Sequence, residues 1–245
     1  MPPVSAQVNR QLRLQLESPP VYRRETFIVS PSNAAAVRVL DAWPVWHGGA
    51  LALAGPEGTG KTHLAQAWRH ASGAVELDVA APPADLRDLS GRPVLIEDAH
   101  RGDAETLFHL INMAAQPGGG LLLTAPTVPA LWPAALPDLR SRLNALPVAE
   151  IEAPDDELLR AVMQKFFRER HIRPSDDLFG YLLRRMERSV PVALALVQRL
   201  DEASGPEHRP VSRALAREIL EEGEQTPDLF ATRLADLDGS GDKLR

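Results

Sequence analysis

The chain has 245 residues, enough for one α/β domain with a smaller helical one and for a real hydrophobic core. It has no cysteine, which excludes disulfides, thiolate metal sites and thiol catalysis, and no run approaches the ~18 apolar residues of a membrane-spanning helix. A formal net charge of −6 argues against wholesale coating of DNA, while leaving room for a local basic patch. With no signal-peptide core at its start, the protein is expected in the cytoplasm.

Residues 1–24 read as a flexible leader in which Arg10, Arg13, Arg23 and Arg24 stand against Glu17 alone. Within it, Gln11-Leu12-Arg13-Leu14-Gln15-Leu16 alternates polar and apolar with period two, and Pro19-Pro20 separates it from the next segment. The alternation suits either an edge strand or an extended segment docked in another protein's apolar groove. Glu25 to Val29 is strand-like and feeds a helix with Ser32 as N-cap, running to about Trp46 with Val37, Leu40 and Trp43 inward.

Ala50 to Ala54 is a short apolar strand, and Gly55-Pro56-Glu57-Gly58-Thr59-Gly60-Lys61-Thr62 comes directly after it, matching the phosphate-binding P-loop at every fixed position. His63 to Trp68 opens a helix packed on a sheet through Leu64, Ala67 and Trp68. The glycines let successive N–H groups converge on phosphate oxygens at the helix's positive end. Lys61 suits the β- and γ-phosphates, and the Thr62 hydroxyl suits Mg²⁺.

Ala74 to Val79 is a second strand, Pro82-Pro83 a break, and Ala84 to Leu89 a short helix at best. Arg92 to Asp98 is a third strand ending in Glu97 and Asp98, which a parallel sheet would place beside the P-loop. One carboxylate would hold Mg²⁺ or its water shell and the other could polarise an attacking water; the sequence leaves open which is which. A helix over 105–115, ended by Pro117 and three glycines, precedes a fourth strand over 121–124, whose Thr124 either touches the γ-phosphate or caps a turn. Leu136 to Leu143 sets Arg140 and Arg142 on a short helix, where arginines are usually solvated, and Pro147 to Ile151 is a fifth strand.

From Asp155 the pattern is helical only, over about 155–170, 175–187, 191–203 and 211–222. The expected organisation is therefore a leader (1–24), an α/β nucleotide-binding domain (25–153), an all-α lid (154–222) and an acidic tail (223–245). Gln225 to Phe230 in that tail is a weaker second candidate for groove docking.

In order and spacing, the P-loop, the acidic pair, the strand ending in Thr124, the arginine helix and the lid resemble the AAA+ ATPase module. Phe27-Ile28-Val29-Ser30-Pro31-Ser32-Asn33, Thr62-His63-Leu64 and Leu139-Arg140-Ser141-Arg142-Leu143 look like the DnaA-related subgroup, and closest to its Hda branch, called HdaA in some bacteria. The resemblance covers about residues 25–222 and implies an α/β fold with a five-stranded parallel sheet flanked by helices, then a small all-α lid. It implies ADP or ATP held by residues 55–63, namely Gly55, Pro56, Glu57, Gly58, Thr59, Gly60, Lys61, Thr62 and His63. Mg²⁺ would sit on Thr62, Glu97 and Asp98, with Asp98 also catalytic.

Initiators of this subgroup carry a C-terminal helix-turn-helix; here the chain ends about twenty residues after the lid, so no duplex reader is expected and DNA would be met only indirectly. Gln11, Leu12, Leu14 and Leu16 resemble the hexapeptide that binds the DNA polymerase sliding clamp, which favours docking over the edge strand. By the same resemblance Arg142 acts in trans as an arginine finger in the ATP site of a bound DnaA, with Arg140 as a helper. The implied protein is a negative regulator of replication initiation, at the bacterial nucleoid and replisome, without a membrane partner and with a homodimer left open.

Departures point to weak intrinsic ATPase. Glu97-Asp98 replaces the usual Asp-first pair, Pro191 stands where the family places a γ-phosphate-sensing arginine with Arg188 displaced beside it, and Thr124-Ala125-Pro126 lacks a polar sensor pair. The alternative is an autonomous AAA+ ATPase of clamp-loader or helicase-loader type.

Overall fold

In the central strands nearly every side chain is apolar, because both faces of the sheet are covered and neither tolerates a polar group. The computed structural model describes residues 22–79, 81–82, 85–134, 136–205 and 209–225. Strands β1 (Ala50–Ala54), β2 (Val75–Glu76), β3 (Pro93–Ile96), β4 (Gly120–Ala125) and β5 (Val148–Glu150) form one parallel sheet in the order β2-β3-β4-β1-β5. The register sets Leu51 against Leu122 and Leu95 against Leu122, so these side chains share one face.

That face packs with Leu53 against Val37 and Leu40 of helix α1 (Ala34–Asp41) and Leu64 and Trp68 of α2 (Lys61–Ser72). Leu121, Leu123 and Ile96 turn the other way, onto Leu107, Leu110 and Ile111 of α3 (Ala104–Ala114) and Leu139 and Leu143 of α4 (Pro137–Ala145). The α/β sandwich expected from the sequence is thus the one observed.

A second core lies beyond β5. Helices α5 (Asp156–Glu169), α6 (Leu178–Leu183), α7 (Val190–Ser204) and α8 (Arg213–Gln225) bury Met163, Phe167, Leu182, Leu196, Leu200 and Ile219 against one another. The Asp155 carboxylate accepts from the Leu158 N–H at 2.6 Å, capping α5 as the chain leaves the sheet. Among the described residues, no helix is long and apolar enough to cross a membrane.

Several local expectations are corrected. Glu25 to Val29 forms no strand: Arg24–Thr26 is a 3-10 turn closed by the Thr26 hydroxyl on the Arg23 carbonyl, and Phe27 packs at the P-loop instead of pairing with the sheet. Helix α1 stops at Asp41 rather than Trp46, since Pro44 cannot donate and disfavours a helical residue before it. Asn33, not Ser32, stands at its N-cap position; the Asn33 side chain accepts from the Ser30 N–H and donates to the Ile28 carbonyl, while the Ser32 and Ser30 hydroxyls pair. Strand β2 covers only Val75–Glu76 of the strand expected over 74–79, and α6 covers only the middle of the segment expected to be helical over 175–187. The Gln11–Leu16 motif and residues 226–230 lie outside the described residues.

Truncating Leu182, fully buried in the lid core, leaves a cavity that its neighbours only partly fill. Leu182→Ala is expected to cost about 2–5 kcal/mol in chemical denaturation, whereas Val45→Ala at a largely exposed position should stay within about 0.5 kcal/mol.

Candidate functional site

The parallel register brings three strand ends level. Ile96 pairs with Leu123, Leu53 with Thr124 and Ala54 with Ala125, so the P-loop after β1, the Glu97-Asp98 turn after β3 and the end of β4 share one edge of the sheet. Open parallel sheets bind ligands along this edge.

The P-loop begins at Gly55, whose N–H donates to the Ala125 carbonyl, and ends in the first turn of α2. Gly58 has φ +72° and Gly60 φ +93°, both in the left-handed region. A Cβ on Gly58 would collide with the Ser189 hydroxyl, and one on Gly60 would press on the Phe27 ring. The loop's shape therefore depends on glycine for two separate packing reasons as well as for its backbone.

Lys61 Nζ donates to the Gly55 and Pro56 carbonyls, at 2.7 Å each. Its ammonium is thereby held over the turn, and the remaining donor is available to an anion. Burial pushes the Lys61 pKa below its ordinary value, and the carboxylates of Asp98, Glu57 and Glu97 pull the other way. Thr59 closes the turn through its hydroxyl on the Pro56 carbonyl. A cradle kept open by glycines, with a lysine over it and a helix N-terminus behind it, fits a phosphate chain.

Thr62 and Glu97, 35 residues apart, meet at the mouth: the Thr62 hydroxyl donates to Glu97 Oε2 at 2.8 Å. Spending its proton on the carboxylate leaves the hydroxyl lone pairs free for a cation. Gln66 donates to Glu97 Oε1 at 2.8 Å, so both carboxylate oxygens are engaged. Asp98 differs. Its backbone is left-handed, its N–H donates to the Thr124 hydroxyl, and its carboxylate is half exposed with Arg101 at 3.9 Å. Glu97 is thus the carboxylate in contact with Thr62, while Thr124 caps the acidic turn.

His63, expected with the nucleotide, follows Thr62 in the first turn of α2. Its ring lies against Tyr22 and Phe27, and its Nε2 is 2.9 Å from the Arg23 carbonyl, which joins α2 to the segment before α1. Pro56 and Glu57 are exposed at the loop's tip. Pro191 lies in the first turn of α7, and Arg188 is paired with Asp156 at 2.8 Å, at the base of the lid.

Sequence reasoning missed three contacts. The Val190 N–H donates to the Gly58 carbonyl, fastening the start of α7 to the P-loop. Lys165 of α5 donates to the Thr26 carbonyl. Gln66 is the third, and its signal was a polar residue inside the otherwise apolar stretch Leu64–Trp68.

On α4, Leu139 and Leu143 are buried and the two arginines diverge. Arg140, expected as a helper of Arg142, donates to the Ala130 and Trp132 carbonyls, at 2.8 and 2.6 Å, pinning the turn before α4. Arg142 is exposed, and its side chain makes no hydrogen bond or ion pair among the described residues.

This geometry has two measurable outcomes. Gly58→Ala forces a left-handed alanine into the Ser189 hydroxyl, and should weaken ADP binding by ~10-fold or more in titration with a fluorescent analogue. Because the folded state lowers the Lys61 pKa, the unfolded chain holds that proton more tightly; protonated Lys61 thus weighs against folding, and stability rises with pH between the folded and unfolded values. Phosphate contact favours the cation again. The ADP-induced rise in Tm should therefore shrink with alkaline pH, beginning below the range of an ordinary lysine, and be absent in Lys61→Ala; scanning fluorimetry across pH checks both.

No protein-family model matches the chain. It is 28% identical, over a 267-residue alignment covering 91% of the chain, to the chromosomal replication initiator protein DnaA of Thermomicrobium roseum, and it spans 57% of that relative's length. Among solved structures it is similar to domain III of the replication initiation protein DnaA from Thermotoga maritima, with TM-score 0.65 and 20% identity, covering 82% of this chain and 96% of that one. AMPPCP-bound DnaA from Aquifex aeolicus gives TM-score 0.66 and 20% identity over 83% of this chain and 69% of that one. The architecture of this chain is the AAA+ fold in its DnaA-like form.

Proposed function

We propose that this protein binds ADP or ATP with Mg²⁺ at its P-loop and acts as a negative regulator of replication initiation, completing the ATP site of a bound DnaA with Arg142. The observation that carries this reading is the contrast on α4, where Arg140 is consumed within the chain and Arg142 stands exposed without a partner among the described residues. A guanidinium so placed can enter a neighbouring molecule's site and stabilise charge developing on a γ-phosphate, an effect of ~10³–10⁵ in rate.

The protein's own nucleotide has a different role in this reading. Lys61 exchanges its two carbonyl acceptors for phosphate oxygens, and the Gly58–Val190 hydrogen bond passes the loop's conformation to α7. Thr62 and Glu97 are the residues that would hold Mg²⁺, which supplies positive charge beside the β- and γ-phosphates when bound. Intrinsic hydrolysis is slow in this reading, because Pro191 offers no cation, Arg188 is committed to Asp156 and Thr124 to the Asp98 backbone. ADP, in this reading, is taken up as such from solution rather than made in the site.

Gln11, Leu12, Leu14 and Leu16 tether the protein to the sliding clamp, which raises its effective concentration near DnaA on DNA. The alternation of apolar residues in that segment supports this assignment. DNA is engaged only through these partners.

Hydrolysis of DnaA-bound ATP, measured with clamp and DNA present, tests the proposal. Arg142→Ala should lose ~10³-fold or more of the stimulation with ADP and clamp binding intact, while Gln11→Ala and Leu14→Ala should lose clamp binding. Full stimulation by Arg142→Ala sinks the reading. Rapid ATP turnover by the protein alone would instead mark an autonomous AAA+ ATPase of clamp-loader or helicase-loader type.

A further inference from the structure

Behind the mouth of the P-loop lies a polar cluster that the phosphate and metal assignments leave unused. Gln66 is one helical turn after Thr62 on α2, nearly fully buried at 8% exposure, between Ala65 and Ala67 of the core. Its amide nitrogen donates to Glu97 Oε1 at 2.8 Å and to Glu76 Oε1 at 3.0 Å, and its amide oxygen accepts from Arg69 Nε at 2.7 Å. Arg69 Nε also lies 3.4 Å from Glu76 Oε2.

The polarity of this network is determined by its charges. Turning the amide over would set its oxygen against two carboxylates and its N–H groups against a guanidinium, losing all three bonds at once. Both donors of a buried amide are thus committed, one of them to the carboxylate that meets Thr62. Glu97 Oε1 is drawn inward by Gln66 while Oε2 faces the Thr62 hydroxyl. The neighbouring Asp98 has no buried amide behind it: its half-exposed carboxylate has only Arg101 at 3.9 Å, and its backbone is held on Thr124.

We infer that Gln66 is a positioning residue that selects Glu97, rather than Asp98, as the carboxylate of the Mg²⁺ shell, by pinning one of its oxygens and leaving the other on Thr62. The Arg69–Glu76 pair in turn orients Gln66, so strand β2, otherwise remote from the mouth, takes part in shaping it. Partners behind a metal ligand that hold it in one orientation are commonly worth as much as 10–100-fold in metal affinity. The inference rests on the nucleotide-binding part of the proposed function and is independent of Arg142, DnaA and the clamp.

Titration of fluorescent ADP in Mg²⁺ and in EDTA tests it on the whole chain. Gln66→Met keeps side-chain length and helix propensity. It should weaken the apparent Mg²⁺ affinity by ~10-fold or more and leave ADP binding in EDTA within about twofold of the parent chain. Gln66→Asn, which keeps the amide but sets it one methylene short, offers the same measurement if the methionine variant does not fold. In a Glu97→Gln background, Gln66→Met should add no further loss, because the two act through one carboxylate. Unchanged Mg²⁺ dependence, equal losses with and without Mg²⁺, or additive losses in the double variant would each overturn the inference. Binding by the parent chain that ignores Mg²⁺ would overturn the metal assignment and this inference with it, while loss of DnaA stimulation alone would leave both standing.

Discussion

One hydrogen bond, from the Thr62 hydroxyl to the Glu97 carboxylate, depends on almost everything else in the α/β domain being in place. Thr62 owes its position to β1 and to the loop that turns into α2; Glu97 owes its own to β3. Neither strand pairs with the other, since β4 lies between them, so the two residues meet only because β4 holds both in parallel register. A slip of one residue in either ladder would turn Leu122 to the wrong face and separate the pair by a full residue rise. The apolar monotony of the three strands is the cost of this: buried on both faces, they have no surface on which to place a polar side chain before their C-terminal ends.

The lid meets the phosphate loop at its tightest turn. Gly58 has no side chain, which lets Ser189 approach, and its carbonyl receives the Val190 N–H. A helix N-terminus carries unpaired N–H groups, so it gains by docking on a carbonyl that the P-loop conformation presents outward. Pro191, in the next position, has no N–H to satisfy and suits the first turn of α7. On the opposite side, the segment carrying Thr26 and Phe27 touches both His63 of α2 and Lys165 of α5. Among the described residues, core and lid are therefore joined on two sides of the P-loop, and any ligand that reshapes Gly55–Thr62 acts on both.

Charge is distributed with similar economy. Arg24, Arg69, Arg140 and Arg188 are each committed to a carboxylate or to backbone carbonyls. With Arg38, Arg92, Arg168, Arg173 and Arg184, Arg142 is one of the exposed arginines whose side chains make no hydrogen bond or ion pair among the described residues, and it lies on a helix whose other face, Leu139 and Leu143, is fully occupied in the core. Exposed ion pairs add little to stability, so an arginine left without one costs the fold little and remains available to a neighbour.

Local pattern was enough for much of this. The P-loop, the five strands and their parallel arrangement, the helices of the lid and the acidic pair after β3 are each carried by contiguous residues, because steric demands of a turn, or burial on two faces of a strand, act within a few positions. Which carboxylate faces Thr62, whether Arg140 or Arg142 is free, and where His63 points were settled by packing between elements far apart in the chain. Glu25 to Val29 illustrates the difference: its composition suits a strand, but Phe27 fills the space that Gly60 leaves open and the segment never reaches the sheet. Gln66 illustrates it again, since an amide between Ala65 and Ala67 carries no local sign of the two carboxylates it joins. The sequence by itself determined most of the elements and the phosphate loop, whose constraints are short-range; only the tertiary structure decided the ends of several elements and the partners of each polar side chain, because those are set by strand register and helix docking.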